Sequence, residues 1–242
     1  MTSTKVATEI NRLKNHAAWK FEYGLNSMPT TRHLLISSLN TRSLLLYIDD
    51  VANDHELMQA DILCLQETHM HKHAKITILS EKFNSVLASS VHGILTLINK
   101  DIDLIDTKIY PEKNIEAIFV GLKFANNILN LVNIYNKPCG RVETILCILD
   151  CILSEKRTNA QVVVTGDFNI DMLKETPSKK KLQSFMQMKG LRLKTTKPTT
   201  SAGSMLDHFW TNLDDDVLAF NVSDAYWTDH YMTFLSISAK YS

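Results

Sequence analysis

The sequence predicts one α+β or layered α/β domain. Short apolar runs with strand character recur from residue 33 to the C-terminal region, and three helical patterns interrupt them. Several neighbouring runs follow each other without a helix between them, which is typical of antiparallel strands. Strands followed by covering helices indicate a layered domain with a single core.

Composition limits the class of protein. The chain has 242 residues, of which 45% are apolar, and this is enough for a substantial core. Its 26 basic and 26 acidic residues give a formal net charge of zero, so a polyanionic partner would have to be bound by a local basic patch. The four cysteines show no C-x-x-C spacing, and no apolar run reaches the roughly 18 residues that span a bilayer. We therefore expect a soluble intracellular protein without a signal peptide, in the nucleus or cytoplasm.

The elements are predicted in chain order. Residues 1–32 form a weakly helical lead-in segment, and the domain occupies residues 33–242. A strand over HLLISSLN, a helix over SLLLYIDDVANDHELMQ and a strand over DILCLQE open the domain. The runs FNSVLAS, GILTLIN, NIEAIFVGLKF and NILNLVNIYN then predict an antiparallel meander, with a hairpin turn at Asn126-Asn127.

The second half alternates helices and strands. The segment RVETILCILDCILSEK has its apolar residues on one helical face and leads into the strand QVVVTGDFN. A third helix is predicted to begin after Ser178 as its N-cap and to end at Gly190. The last strands are predicted around SMLDHFWTN, VLAFNVS and YMTFLSIS.

Polar residues follow the apolar strands at their ends, where a rigid scaffold can present chemical groups. Taken singly, each has a simple structural interpretation, such as a turn residue or a solvated carboxylate. Their joint occurrence is harder to explain by chance. The residues are Asn40, Glu67, Tyr135, Asn136, Asp167 and Asn169, followed by the pairs Asp207-His208 and Asp229-His230.

A calcium loop is the first alternative for GDFNID, because Asp167, Asn169 and Asp171 are spaced two apart. An EF-hand loop requires glycine at its sixth position and glutamate at its twelfth. This chain has Met172 and Ser178 there, and the segment follows a strand instead of a helix. The spacing therefore excludes an EF-hand.

The ordered set N…QE…Y…GDFN…LDH…DH resembles the endonuclease/exonuclease/phosphatase superfamily, whose best-known member is deoxyribonuclease I. The resemblance covers about His33 to Ser238. The stretch from LNTRSL to LCLQET is most similar to the endonuclease domains of non-LTR retrotransposons and Helitron-type transposons. The resemblance implies a four-layer sandwich of two packed, mainly antiparallel β-sheets flanked by α-helices, in agreement with the element order above.

The resemblance also implies a divalent metal site. Glu67 would be the main Mg²⁺ ligand, with Asn40 nearby and Asp229 as a further acidic residue at the site. Mg²⁺ prefers hard oxygen ligands and needs only one or two protein carboxylates. Mn²⁺ is expected to be able to substitute for it.

The remaining motif residues are expected to act on a phosphodiester. Asp167 would orient or deprotonate the attacking water, and Asn169 would donate a hydrogen bond to a phosphate oxygen. His230 would contact the phosphate while Asp207 fixes its tautomer. Tyr135 would contact the phosphate or the water. The sequence leaves open whether Asp167 or His230 is the general base.

The chain departs from the superfamily pattern at some positions. Arg42 replaces a second acid near Asn40, Thr228 stands for the usual Ser, and Asn136 stands where many relatives have Arg. Arg42 is a candidate DNA contact.

Three basic or histidine-containing segments are weaker candidates. The segment KTTKPTTSAGS includes Lys197 and Thr200 and is a candidate DNA-contacting loop, as are Lys179 and Lys180 at the start of the third helix. An exposed polar surface is the simpler interpretation of the two helix lysines. The cluster His69, His71 and His73 is interpreted as a solvated loop beside the active site, with a metal ligand set as the alternative.

The sequence thus predicts a Mg²⁺-dependent DNA endonuclease of a mobile element that nicks a target strand and leaves a 3′-hydroxyl. DNA is the expected partner, no membrane is involved, and a monomer is the expected state. One alternative is an inositol phosphate or phospholipid phosphoesterase of the same superfamily, although Val164 and Asp171 replace the Trp and Arg of its W-x-G-D-x-N-x-R motif. Another is a non-catalytic nucleic-acid or protein binding module.

Overall fold

The computed structural model describes residues 33–71, 77–112, 114–138, 140–155 and 160–239. The predicted lead-in segment (residues 1–32) and His73 lie outside these ranges. The strands are β1 (His33–Asn40), β2 (Ile62–Gln66), β3 (Phe83–Ala88), β4 (Ile94–Asn99), β5 (Asp103–Pro111), β6 (Ile115–Phe124), β7 (Asn127–Asn136), β8 (Gln161–Asp167), β9 (Arg192–Leu193), β10 (Asp207–Thr211), β11 (Leu218–Ser223) and β12 (Met232–Ser238). The helices are α1 (Leu44–Asn53), α2 (Thr77–Ser80), α3 (Val142–Ser154) and α4 (Pro177–Met188).

The strands form two six-stranded sheets. Their orders are β11-β12-β1-β2-β4-β3 in the first sheet and β5-β6-β7-β8-β10-β9 in the second. The pairs β1–β2 and β7–β8 are parallel, and the other strand pairs are antiparallel. A parallel pair needs a long crossover, which α1 and α3 provide. Both parallel pairs bring carboxyl ends of strands side by side, with Asn40 opposite Gln66 and Tyr135 opposite Asp167.

In the part of the chain that the structure describes, the core consists of three apolar clusters that separate four layers. One cluster lies between the sheets and joins residues such as Ile36 and Leu235 of the first sheet to Leu122 and Val163 of the second. A second cluster packs α3 and α4 on the outer face of the second sheet. A third packs α1 on the outer face of the first sheet. The predicted four-layer sandwich of two mainly antiparallel sheets flanked by helices is confirmed.

The strands differ from the prediction in two respects. The expected meander is divided between the sheets, because β3 and β4 pair in the first sheet and β6 and β7 in the second. Strand β5 at the edge of the second sheet was not predicted. Its side chains are almost all exposed, so it lacks the apolar alternation by which a half-buried strand is recognised.

The first predicted helix, over residues 43–59, is wrong in its length. Helix α1 ends at Asn53, and Leu57–Gln59 form a separate 3₁₀ turn. The carboxylate of Asp54 accepts hydrogen bonds from the backbone N–H groups of Glu56 and Leu57, at 2.9 and 3.0 Å. Such a side-chain acceptor caps a new turn and competes with continuation of the helix.

The start of α4 is also two residues earlier than predicted. The N-cap is Thr176, whose Oγ1 accepts a hydrogen bond from the backbone N–H of Lys179 at 3.1 Å. Pro177 follows at the first helical position, where its fixed φ and missing N–H suit a helix start. Ser178 therefore lies inside the helix.

No helix within the described ranges is both long enough and apolar enough to cross a membrane.

Candidate active site

The ends of the two parallel strand pairs bring Asn40, Glu67 and Tyr135 together. Nδ2 of Asn40 donates a hydrogen bond to Oε1 of Glu67 at 2.7 Å, and the hydroxyl of Tyr135 donates to the same oxygen at 3.1 Å. Asn40 and Tyr135 are buried, whereas Glu67 is partly exposed and has a positive φ of 48°. Two buried donors therefore hold the Glu67 carboxylate in one position.

Asp167 connects this group to the GDFN turn. Its Oδ2 accepts hydrogen bonds from Nδ2 of Asn40 at 2.9 Å and from Nδ2 of Asn169 at 3.1 Å, and its Oδ1 accepts from the backbone N–H of Asn169 at 2.9 Å. Nδ2 of Asn169 also donates to the backbone carbonyl of Asn136 at 2.7 Å. Both amide hydrogens of Asn169 are thus used within the protein, so a bond to a phosphate would replace one of these.

The turn itself depends on Gly166. This residue has a φ of +131°, and a Cβ there would lie 1.9 Å from the carbonyl oxygen of Ile134 on the neighbouring parallel strand. Only glycine allows β7 and β8 to approach this closely just before Asp167.

His230 and Asp207 form a buried pair beside Asp167. A carboxylate only accepts hydrogen bonds, so Nδ1–H of His230 donates to Asp207, with distances of 2.9 and 3.2 Å to its two oxygens. The predicted role of Asp207, to fix the ring of His230, stays a prediction. Burial by itself lowers the pKa of His230, but the charges of Asp207, Asp167 and Asp229 outweigh it and raise this pKa to about 9.

The pKa of Asp167 is shifted in the direction that suits a base near neutral pH. Burial, followed by the charge of Asp207, raises the pKa of this carboxyl to about 7, although His230 and the hydrogen bonds from Asn40 and Asn169 act against the shift. Burial, together with the charges of Glu67 and Asp167, also raises the pKa of the Tyr135 hydroxyl, which therefore remains protonated.

The two members of the Asp207-His208 pair have different roles, because Asp207 binds His230 whereas His208 packs in the core. His208 is fully buried, stacks on Phe168 with ring centroids 4.6 Å apart, and places Nε2 near the backbone carbonyls of Ile170 and Met205. Burial lowers its pKa to about 4. This neutral ring is structural, and its contacts support the loop that follows Asp167.

Asp229 lies at the rim of the site, paired with Arg42. Nε and Nη2 of Arg42 donate to its two carboxylate oxygens at 2.8 and 2.6 Å. The hydrogen bond from Arg42 is the main reason that the pKa of Asp229 is lowered. Asp229 as a metal-site residue and Arg42 as a DNA contact remain predictions, and either role would require this bidentate pair to open.

The predicted DNA-contacting loop lies next to His230. Thr200 pairs with His230 in an isolated antiparallel bridge, and the backbone N–H of Ser201 donates to the carbonyl of Asp229 at 2.9 Å. Lys197 is exposed, but Thr200 is buried and its hydroxyl contacts Oγ of Ser204 at 2.6 Å. Lys197 is therefore available to a ligand, whereas Thr200 holds the loop in place.

Lys179 and Lys180 are not part of the hydrogen-bonded network described above. They open α4 in the outer helical layer, where Lys179 pairs with Glu175. No hydrogen bond or ion pair among the described residues joins them to the candidate site. Their contact with DNA remains a prediction.

Sequence reasoning missed two features of the site. The first is a buried bridge between the sheets, in which Nε2 of Gln66 donates to Oδ1 of Asn133 at 2.7 Å beneath Glu67. The second is His92, whose ring lies 5.5 Å from that of Tyr135 and 5.6 Å from that of His69. His92 follows no predicted strand end, so no local pattern singles it out.

Among the described residues, two groups of side chains could hold a cation. Asp167, Asp207 and His230 form one, and Glu67, His69 and His92 form the other; within each group the possible ligand atoms lie within 4.8 Å of one another. Both hydrogen bonds described for the Glu67 carboxylate end on Oε1, which leaves Oε2 for an ion. Asn40 turns its amide nitrogen towards Glu67, and its Oδ1 accepts from the backbone N–H of Arg42 at 3.0 Å. The residues at Glu67 thus fit a divalent ion. Asn40 could be a ligand only if its side-chain amide rotated so that Oδ1 faced the ion.

Comparisons with known proteins find a matching family model and similar folds. The model of the family described as endonuclease-reverse transcriptase matches residues 129–234. The structure is similar to the endonuclease domain of TRAS1, a telomere-specific non-LTR retrotransposon, with 18% identity, a TM-score of 0.69, and 85% of this chain and 98% of that chain covered. No curated protein gave a significant match.

Two further solved structures show the same fold. Danio rerio (D. rerio) TDP2, solved with a single-strand DNA product, has 14% identity and a TM-score of 0.62, with 84% of this chain and 98% of that chain covered. An AP endonuclease from Archaeoglobus fulgidus has 13% identity and a TM-score of 0.64, with the same coverage of 84% and 98%.

Proposed function

We propose that the chain is a divalent-metal-dependent phosphodiesterase that nicks DNA, because residues 129–234 match the endonuclease-reverse transcriptase family and the fold is similar to that of a retrotransposon endonuclease. The main support for this proposal is the hydrogen-bonded network that runs from Glu67 through Asn40 to Asp167. It places a partly exposed carboxylate for a cation beside a buried carboxyl whose pKa is raised to about 7.

The chain's own groups suit hydrolysis of a phosphodiester. Near neutral pH a substantial fraction of Asp167 is ionised and can accept a proton from an attacking water. His230 is an imidazolium at this pH, because its pKa is about 9, so it can donate to a phosphate oxygen but cannot take up a proton. Of the two candidate bases, we therefore propose Asp167.

Asp207 and Tyr135 act as positioning residues in this scheme. Asp207 holds the ring of His230 through Nδ1 and leaves Nε2 for the phosphate. Tyr135 donates to Glu67 and fixes the carboxylate. A bound Mg²⁺, or Mn²⁺ in its place, would neutralise negative charge that develops on the phosphate oxygens.

We further infer that the substrate is the DNA target of a mobile element and that the cut leaves a 3′-hydroxyl. Support comes from the match to the endonuclease-reverse transcriptase family and from the likeness to a retrotransposon endonuclease. Cleavage of such a substrate would take place in the nucleus or cytoplasm. With a formal net charge of zero, contact with DNA would depend on local cations such as Lys197.

The test is nicking of supercoiled plasmid with Mg²⁺, with EDTA as the chelated control. Asp167→Asn should reduce the rate by roughly 10²- to 10⁴-fold, the usual contribution of general base catalysis. Asp171→Asn is the matched control, because Asp171 accepts from the backbone N–H groups of Leu173 and Met205 and lies outside the network. It should retain nicking.

The same assay can contradict the proposal. Absence of metal-dependent nicking by the wild type, or full activity of Asp167→Asn, would exclude it. Release of phosphate from inositol phosphates without plasmid nicking would support the phosphoesterase alternative. Extension of the nick by a DNA polymerase without end repair would demonstrate the 3′-hydroxyl.

A further inference from the structure

Two histidines lie beside the carboxylate that the proposed function assigns to the cation. Ligand atoms of Glu67, His69 and His92 lie within 4.8 Å of one another, and all three side chains are partly exposed. Atoms that share one ion at about 2.1 Å each are at most about 4.2 Å apart. A movement of less than about 1 Å would therefore let all three bind one ion.

The backbone holds these residues in unusual conformations. Glu67 and His69 have positive φ values of 48° and 50°, which non-glycine residues rarely adopt. The backbone N–H of Thr68 donates to the carbonyl of Gly93 at 3.0 Å, and that of His69 donates to the carbonyl of His92 at 2.6 Å. The segment after β2 is thus paired with the segment before β4, and this pairing sets the two histidines against each other.

The second segment is anchored in turn to the other sheet. The hydroxyl of Ser90 donates to the buried carboxylate of Glu116 on β6 and accepts from the backbone N–H groups of His92 and Gly93, both at 3.3 Å. The ring of His92 also lies against Tyr135, which donates to Glu67. Both histidines therefore belong to the framework that positions Glu67.

The ring nitrogens are suited to bind a metal. Nδ1 of His69 lies 3.1 Å from the carbonyl oxygen of Val91, which can only accept, so Nδ1 carries the hydrogen and Nε2 of the neutral ring has a free lone pair. Metal-binding histidines commonly donate their other ring N–H to a backbone carbonyl in this way. Nδ1 of His92 is buried and has no hydrogen-bond partner among the described residues.

We propose that His69 and His92 join Glu67 as ligands of the divalent cation. This inference rests on the proposed function, since it concerns the ion of the same site. Imidazole nitrogen favours first-row transition ions, whereas Mg²⁺ favours an all-oxygen environment. The site should therefore bind Mn²⁺ in preference to Mg²⁺, instead of merely tolerating it.

Neither of the other histidine arrangements serves as well. His71, which lies in the sequence cluster of His69, His71 and His73, is exposed and belongs to neither candidate metal group. In the buried group, Nδ1 of His230 is already committed to Asp207. The sequence cluster thus contributes one ligand, and the second comes from a segment 23 residues farther along the chain.

The test measures the bound ion directly. Mn²⁺ is added to the full chain, and pulsed EPR is used to detect coupling of the ion to imidazole ¹⁴N. We expect ¹⁴N coupling in the wild type and its loss in the double variant His69→Gln/His92→Gln. The coupling should remain in His71→Gln, which controls for the nearby exposed histidine, and in His230→Gln, which controls for the buried group.

Calorimetric titrations provide the second measurement. The double variant should lose about tenfold or more in Mn²⁺ affinity, with a much smaller change for Mg²⁺, whereas Glu67→Gln should weaken the binding of both ions. His71→Gln should bind both ions as the wild type does. Circular dichroism of each variant confirms that it is folded.

The outcomes separate this inference from the proposed function. Bound Mn²⁺ without ¹⁴N coupling, or unchanged Mn²⁺ affinity in the double variant, would overturn the histidine ligands even if the wild type nicks DNA. Persistence of ¹⁴N coupling in the double variant, with its loss in His230→Gln, would do the same by locating the ion in the buried group. Intact ¹⁴N coupling in a wild type that does not nick would support the site and exclude the endonuclease.

Discussion

At the residue scale, Asp167 and His230 share one buried environment but are shifted towards different charge states. Burial and the charge of Asp207 raise the pKa of Asp167 to about 7. The pKa of His230, which burial alone would lower, is raised to about 9 by the surrounding carboxylates. Around pH 8 the pair is mostly carboxylate and imidazolium, which is the combination that the proposed reaction needs.

The Asp207 carboxylate should be the main cause of the raised His230 pKa. We expect NMR titration of the metal-free protein to give a pKa near 9 for His230, and Asp207→Asn to lower it by roughly 1 to 3 pH units, the usual effect of an adjacent opposite charge. His208→Gln is not a suitable control, because that ring packs in the core; His71→Gln should leave the value unchanged. An unchanged pKa in Asp207→Asn would contradict the assignment.

The same proton affects stability with a defined sign. The folded pKa of His230 lies above the usual value of 6.5, so its stabilising contribution is complete below pH 6.5 and is lost as the pH rises through about 9. We expect the free energy of unfolding of His230→Gln to depend less on pH between about 6.5 and 9 than that of the wild type. Denaturant titrations across this range would measure it, and equal slopes would refute it.

At the element scale, the conformation of the segment after β2 depends on a glycine in the segment before β4. Gly93 has a φ of +77°, and a Cβ there would lie 2.7 Å from Oγ1 of the buried Thr68. Gly203 has the same φ of +77°, but a Cβ there would meet nothing within 4 Å. Alanine variants of the two glycines therefore distinguish the free-energy cost of a left-handed backbone from the added cost of a steric clash.

Gly203→Ala should lose about 1 to 2 kcal/mol from the free energy of unfolding, the usual cost of a left-handed non-glycine residue. Gly93→Ala should lose more, because Thr68 must also move, and it should weaken nicking by displacing Glu67. Denaturant unfolding and the plasmid assay would measure the two effects. Equal losses in both variants would mean that Thr68 yields without cost.

The N-cap of α4 offers a second test at this scale. Thr176→Ala should cost about 0.5 to 2 kcal/mol, because the backbone N–H of Lys179 loses its acceptor. Ser178→Ala should change the stability by less than about 0.5 kcal/mol, since an exchange inside a helix away from the cap is nearly neutral. The reverse order of the two losses in denaturant unfolding would restore Ser178 as the cap.

At the scale of the whole molecule, the cluster between the sheets should make residues 33–242 unfold as one unit. Leu235 of β12 is fully buried in this cluster, together with Val163 of β8 in the other sheet. Leu235→Ala should cost about 2 to 5 kcal/mol, as large-to-small core substitutions do. Hydrogen exchange followed by mass spectrometry should then show equal losses of protection in β1 and in β7. A loss confined to the first sheet would argue for two independent units.

Much of this arrangement was predictable because it depends on local sequence patterns. Most strands and the functional groups at their ends follow from apolar runs that end in polar residues, and the four-layer sandwich follows from the resemblance to the superfamily. Parallel pairing then places Asn40 opposite Gln66, the residue before Glu67, and Tyr135 opposite Asp167. The edge strand β5 escaped detection because exposed side chains carry no alternation, and the end of α1 depended on a single aspartate that forms a competing turn.

Contacts between distant segments carry no such local pattern, and only the tertiary structure decided them. His208 and His230 both follow an aspartate, yet packing buries one as a neutral structural ring and holds the other as an imidazolium. Arg42 and Asp229 pair across 187 residues, and His92 joins His69 through backbone pairing of two segments. Local periodicity reports which face of an element is buried, so the sequence alone specified the chemical groups, and the folding of distant segments against each other selected which of them meet.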